Sequence, residues 1–85
     1  MPAKTVIVGS AIGLHARPAA IIAEAVVNAG VPVTISMDGG EPVDAGSAMM
    51  IMTLSAGKGA AVTIASDDEE TLKMVAELVQ QDLDA

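Results

Sequence analysis

The stretch GLHARPAAIIAEAVVNAG, residues 13–30, decides how this chain is organised. From Ala16 to Ala29 its apolar residues recur at the spacing of one helical face, which predicts an amphipathic helix. Gly30 suits the left-handed position that follows a helix, and Pro32 prevents its continuation. The predicted helix therefore begins directly after His15, the only histidine of the chain.

Strand patterns lie on both sides of this helix. Residues 4–8 are rich in β-branched side chains, and residues 33–37 and 60–65 carry the apolar alternation of half-buried strands. Asp38-Gly39-Gly40 predicts a hairpin turn into a short edge strand over residues 41–43. The resulting order β-α-β-β-α-β-α, with helices on one face of a four-stranded sheet, predicts a two-layer α+β fold.

Two further helices are predicted from their capping residues. Ser47 suits the N-cap of a short helix over residues 47–54. Ser66-Asp67-Asp68-Glu69 fits a capping box with Ser66 as the N-cap of the last helix. The acidic residues 67–70 then have a structural role, because negative charge stabilises a helix N-terminus. The apolar stripe of this last helix consists of Leu72, Val75, Ala76, Val79 and Leu83.

The composition indicates one small domain over residues 1–85. Hydrophobic residues make up 52% of the chain while Phe, Tyr and Trp are absent, so aliphatic side chains and methionine must build the core. The absence of cysteine excludes disulfides and thiolate chemistry and fits a reducing compartment. With one histidine and no cysteine, no bound metal is expected.

The charge balance is acidic, with a formal net charge of −7. Nucleic acid is therefore not an expected partner, because binding it requires basic groups that neutralise phosphates. No apolar run is long enough to span a bilayer, and Gly and Ser residues interrupt the apolar stretch Val6 to Leu14 that could imitate a secretory signal. We expect a cytoplasmic protein that binds no membrane.

His15 stands at a predicted helix start, next to the only arginine, Arg17. The first N–H groups of a helix, here those of Ala16 and Arg17, point out of its positive end and suit a phosphate or another anion. Arg17 can bond phosphate oxygens with two N–H groups, and Pro18 is tolerated in a first helical turn. The alternatives are an ordinary solvated histidine and a Ser-His-Asp hydrolase, which no spacing in the chain selects.

Two motifs resemble one known family. GLHARPAA, residues 13–20, is similar to the active-site signature of HPr, the histidine-containing phosphocarrier of the sugar phosphotransferase system, and AGSAMMIMTL, residues 45–54, is similar to a second feature of that family. The resemblance extends over essentially the whole chain. It implies an open-faced β-sandwich, with a four-stranded antiparallel sheet and three helices on one face.

The resemblance also implies a function. His15 would accept a phosphoryl group at Nδ1 from phospho-enzyme I and pass it to the IIA unit of a sugar transporter. Arg17 would steady that group, and the amides of Ala16 and Arg17 would bind its oxygens. Such a carrier is a monomer and a substrate of enzyme I, not a turnover enzyme. It binds no cofactor, because Mg²⁺ and phosphoenolpyruvate belong to enzyme I.

A partner-docking surface is implied on the short helix. Ala48, Met49 and Met52 are expected on its exposed side, with Ala20 of the first helix next to them. Adaptable methionine side chains suit a surface that receives several partners. The alternative is that the methionines only fill the core.

Ser47 aligns with the serine that HPr kinase/phosphorylase modifies in many relatives, and transcriptional regulators are further implied partners. Phosphate there would add roughly −1.5 to −2 charge at a helix N-terminus. The alternative is a plain N-cap. Gly46 departs from the family pattern, which usually has a basic residue at this position.

Other departures concern the choice of partner. Ile12 stands where many relatives carry a polar residue, and Glu24 and Val27 stand where some carry lysines that face the partner. Two alternatives stay open. One is a paralogue in a nitrogen-regulatory or other specialised phosphotransferase branch. The other is a regulatory binding module that docks through the methionines and Ser47 without phosphotransfer.

Overall fold

The computed structural model describes residues 2–11 and 13–81 of the chain. Its elements follow the order β-α-β-β-α-β-α that the sequence predicts. They are β1 (Ala3–Ile7), α1 (Ala16–Ala29), β2 (Thr34–Met37), β3 (Val43–Asp44), α2 (Ala48–Met52), β4 (Ala61–Ala65) and α3 (Glu69–Gln80).

The four strands form one antiparallel sheet in the order β1-β4-β2-β3. β4 lies between β1 and β2, with Thr63 opposite both Thr5 and Ser36. The predicted hairpin turn joins β2 to β3: the Gly40 N–H donates to the Met37 carbonyl at 2.8 Å, and Gly39 has a φ of 77°. The predicted α+β class and antiparallel sheet are therefore confirmed.

The two faces of the sheet differ in chemistry. Val62 and Ile64 of β4 are fully buried on the face that the helices cover, as their alternation predicts. On the other face the hydroxyls of Thr5 and Thr63 share a hydrogen bond of 2.9 Å. Because successive side chains of a strand point to opposite faces, one row packs into the core while the other faces away from the helices.

The core is aliphatic throughout, as the composition predicts. Each buried Val, Ile or Leu side chain contributes roughly 1.5–3 kcal/mol relative to exposure. Every described member of the predicted α3 stripe is buried, whereas Leu83 lies outside the described residues. The bulkiest side chains without solvent exposure include Ile22 and Ile51 of the helices and Ile35, Val62 and Ile64 of the sheet.

The predicted ends of α1 and the predicted cap of α2 are confirmed. Gly30 has a φ of 73°, and its N–H donates to the carbonyls of Val26 and Val27. The Ser47 hydroxyl accepts from the Met50 N–H at 3.3 Å, so Ser47 is the N-cap of α2. α2 ends at Met52, two residues before the predicted end at Leu54.

The predicted N-cap of α3 is wrong. Asp68, not Ser66, holds that position, and its carboxylate accepts from the Glu70 N–H at 3.2 Å. Ser66 is fully buried at the end of β4, where its N–H donates to the Pro2 carbonyl and its hydroxyl accepts from the Asp68 N–H. Its backbone extends the sheet pairing, so the helix begins only after the chain has turned away from the sheet.

None of the helices in the described part of the chain has the length and hydropathy to cross a bilayer.

Candidate functional site

His15 is the N-cap residue of α1. Its backbone is extended, with a φ of −81° and a ψ of −168°, and its carbonyl accepts the Ala19 N–H at 2.9 Å. Its side chain is exposed and makes no capping hydrogen bond. The imidazole therefore stands at the helix entrance with its ring nitrogens uncommitted to the cap.

The first turn of α1 presents unused donors. Within residues 2–11 and 13–81 the structure gives no acceptor for the N–H groups of Ala16 and Arg17, and Pro18 has none to offer. No acidic side chain occupies this turn. Pro18 is buried, while Ala16 and Arg17 are exposed. The positive end of the helix is thus open to an anion, with Arg17 exposed in its first turn.

The loop that carries His15 is held against the segment after α2. The Leu14 N–H donates to the Ala56 carbonyl at 2.8 Å, and the Leu14 side chain is buried. Gly13 has a φ of 79°, and a Cβ atom there would lie 2.3 Å from the Ala56 oxygen. Only glycine combines this φ with so close an approach at little cost. The contact fixes the position of the residue directly before His15.

An open pocket of about 380 Å³ lies beside His15. It is lined by Leu14, His15, Met52, Ser55, Ala56 and Gly57. The sequence patterns do not connect residues 55–57 with His15. No local signal marks this connection, since it depends on how two distant loops pack.

The methionines of α2 are largely exposed. Met49 is 73% and Met52 40% exposed, which agrees with their predicted position. Met50, for which no docking role is predicted, is exposed to 39%. The prediction for Ala48 needs correction, because this residue is half-buried and packs against the core. Ala20 is exposed on α1, and α1 packs against α2.

Ser47 is half-buried at the start of α2. Its hydroxyl is engaged as the N-cap acceptor of that helix. The preceding Gly46 N–H donates to the Asp44 carboxylate at 2.8 Å, so an acidic group lies close to Ser47.

Charge is distributed unevenly along β4. The loop before this strand contains Lys58, and it follows Ala56, whose carbonyl accepts the Leu14 N–H. The acidic residues 67–70 follow the opposite end of the strand. At the usual rise per residue, the two ends of β4 are about 16 Å apart. The acidic run is therefore remote from His15. Over the described ranges no group of three or more His, Cys, Asp or Glu residues could hold a metal ion.

Comparison with known proteins agrees with this arrangement. The family model described as the PTS HPr component phosphorylation site matches residues 2–81. The phosphocarrier protein HPr of Streptomyces coelicolor is 42% identical over an alignment of 87 residues, which covers 99% of this chain and 94% of that protein.

Two solved structures share the fold. The crystal structure of the phosphocarrier protein HPr from Bacillus anthracis has a TM-score of 0.83 and 39% identity, covering 93% of this chain and 96% of its own. HPr-C-His from Thermoanaerobacter tengcongensis has a TM-score of 0.87 and 28% identity, covering 100% and 98%. The family match and the identity over nearly the whole length lead to one conclusion. This chain belongs to the HPr family, the phosphocarrier proteins of the phosphotransferase system.

Proposed function

We propose that this protein carries a phosphoryl group on His15, received from phospho-enzyme I and passed to the IIA unit of a sugar transporter. The observation that carries the proposal is the open N-terminus of α1. There an exposed imidazole without a capping role stands beside two unused N–H groups and the Arg17 guanidinium. Family membership supports a phosphocarrier role. The identity of the donor and the acceptor is part of the proposal.

The proposed step is a direct displacement at phosphorus. The lone pair of the neutral imidazole Nδ1 forms a P–N bond while the bond between phosphorus and the donor breaks. The donor atom keeps the electron pair of that bond as its restored lone pair, so no proton has to move in the step. The His15 ring keeps the hydrogen on its other nitrogen until it passes the phosphoryl group on by the same step in reverse. Neither oxidant nor reductant is needed.

The protein contributes position and charge to this transfer. The amides of Ala16 and Arg17 point out of the helix end, where the oxygens of a phosphoryl group on His15 would lie. Arg17 supplies a guanidinium that bonds such oxygens bidentately. Donors that are already oriented lower the cost of developing charge in the transfer. The buried Pro18 and Leu14 hold this end of the helix rigid.

Partners are proposed to dock over Met49 and Met52 of α2 and Ala20 of α1. Met49 exposes almost three quarters of its surface without a packing role in the core, which supports a docking role. Enzyme I and the IIA unit must both reach His15. A shared apolar surface next to His15 therefore serves successive partners.

Ser47 is proposed as a secondary, regulatory phosphorylation site, with HPr kinase/phosphorylase as the modifying enzyme. A phosphate on Ser47 would stand near the Asp44 carboxylate and beside the methionine surface. The added negative charge would repel acidic partners and weaken apolar docking.

Incubation with enzyme I, Mg²⁺ and phosphoenolpyruvate, followed by intact mass measurement, tests the central proposal. We expect the mass of one phosphate that acid treatment removes and that His15→Ala lacks. Glu69→Ala, a change of an exposed residue at the start of α3 and remote from His15, is the matched control and should be labelled normally. A folded wild-type protein that stays unlabelled by an active enzyme I would contradict the proposal and favour a specialised branch or a binding module.

A further inference from the structure

Ser55 has a backbone conformation that its residue type disfavours. Its φ is 53°, in the left-handed region, and it is the only residue other than glycine with a positive φ in residues 2–11 and 13–81. Elsewhere the described chain uses glycine for this conformation, as at Gly13 and Gly59. A Cβ atom is costly in the left-handed region, and such strain tends to persist where function requires it.

The position of Ser55 is fixed relative to His15. Its N–H donates to the Met52 carbonyl at 3.2 Å where α2 ends. The next residue, Ala56, is buried and accepts the Leu14 N–H at 2.8 Å, one residue before His15. Ser55 and His15 consequently line the same open pocket, on walls that come from different segments of the chain.

Among residues 2–11 and 13–81 the fold makes no use of the Ser55 hydroxyl. The side chain is exposed, and the hydroxyl has no hydrogen-bond partner among the residues that the structure describes. A glycine would adopt the same backbone with less strain and would keep the N–H bond to Met52. The serine side chain therefore needs an explanation outside the packing of the chain.

We propose that Ser55 is a further phosphoryl-binding residue, whose hydroxyl donates a hydrogen bond to an oxygen of the phosphoryl group on His15. The inference rests on the proposed function of His15. A phosphoryl group has three outer oxygens, and the amides of Ala16 and Arg17 approach from the α1 side. The pocket wall at Ser55 faces His15 from the α2 side and completes the set of donors. A bond from a hydroxyl to a charged oxygen is stronger than one between neutral groups.

The test is the equilibrium constant for phosphoryl exchange between enzyme I and this protein. A hydrogen bond that exists only in the phosphorylated form shifts this constant, whereas weaker docking slows both directions equally and leaves it unchanged. We expect Ser55→Ala to lower the constant about tenfold. Ser55→Gly should lower it equally while raising the melting temperature by several degrees, because the strain is relieved.

Thr53→Ala is the matched control, because it removes a neighbouring hydroxyl that donates to the Met50 carbonyl and does not line the pocket. It should leave the exchange constant at the wild-type value. Wild-type constants for both Ser55 variants, with His15 still phosphorylated, would overturn this inference and leave the proposed function intact. A wild-type protein that enzyme I does not phosphorylate would overturn both.

Discussion

The N-termini of α1 and α3 are built in opposite ways. At α3 the Asp68 carboxylate accepts the Glu70 N–H at 3.2 Å and the Thr71 hydroxyl at 2.8 Å, and Glu69 and Glu70 add negative charge to the first turn. At α1 the N-cap is His15, whose side chain caps nothing, and the first turn has no acidic residue. One helix end is filled by its own side chains, and the other is left open.

The difference separates a structural helix end from a functional one. Both helices have the same dipole per turn and begin with N–H groups that lack an acceptor within the helix, although Pro18 of α1 has no N–H. A side-chain cap stabilises such an end by typically about 1 kcal/mol. α1 forgoes this stabilisation, and its donors stay available to an incoming anion. The acidic run of α3 needs no functional explanation.

Adding a side-chain cap to α1 should have the largest effect of all. His15→Asp gives α1 the kind of cap that α3 has. We expect the phosphoryl transfer to be lost completely, since the acceptor nitrogen is gone. We also expect the free energy of unfolding to rise by about 1 kcal/mol. Mass labelling and urea titration measure the two effects.

His15→Ala is the control, because it removes the imidazole without adding a cap. It should lose the transfer without the gain in stability. If the two variants had the same free energy of unfolding, the first N–H groups of α1 would not lack a hydrogen-bond acceptor.

Gly13 holds the open end in place, and replacing it should have the next largest effect. Gly13→Ala combines a positive φ with a Cβ atom 2.3 Å from the Ala56 oxygen, so we expect a loss of more than about 2 kcal/mol in unfolding free energy. Gly30→Ala is matched in φ, at 73°, but has open space around its Cβ position and should cost only about 1 kcal/mol. Denaturant unfolding compares the two. Equal losses of unfolding free energy would show that the backbone at Ala56 moves away from the added Cβ atom at little cost.

Arg17 tests whether the open end needs a side-chain charge besides its amides. Arg17 is exposed, so Arg17→Ala should leave stability nearly unchanged. It should slow phosphoryl transfer about 10- to 100-fold, the range of a lost hydrogen bond to a charged group. Arg17→Lys keeps the charge without the bidentate geometry, and its rate should fall between the two. Single-turnover transfer at a wild-type rate in Arg17→Ala would mean that the amides suffice.

Removing the cap of α3 should have the smallest effect, and it should change only the stability of the fold. Asp68→Ala removes the acceptor of the Glu70 N–H and of the buried Thr71 hydroxyl, so we expect a loss of about 1 kcal/mol in unfolding free energy. Phosphoryl transfer should not change, because α3 begins beyond the far end of β4 from His15. Asp68→Asn retains a capping oxygen and should lose less. A change in transfer rate would show that the two helix ends are coupled.

The two helices also differ in how well their N-termini can be predicted from the sequence. The bounds of α1 were predictable, because apolar periodicity, Gly30 and Pro32 are local signals that agree with each other. The start of α3 was not, because Ser66 matches a capping box but its backbone N–H is taken by Pro2 at the sheet edge. A local pattern cannot reveal that a residue is already committed to a distant strand. The same limit applies to Ala48, whose burial depends on the core beneath it.

Local sequence patterns alone specify the helices and strands, their order and the chemistry of residues 13–18. These depend on interactions between near neighbours: periodicity, turn residues, and an imidazole, a guanidinium and a proline at one helix start. Long-range packing sets the strand order β1-β4-β2-β3, the contact of Gly13 and Leu14 with Ala56, and the pocket that Ser55 shares with His15. Those features join residues that are far apart in the sequence. They follow from burying one aliphatic core, which no short stretch of sequence specifies alone.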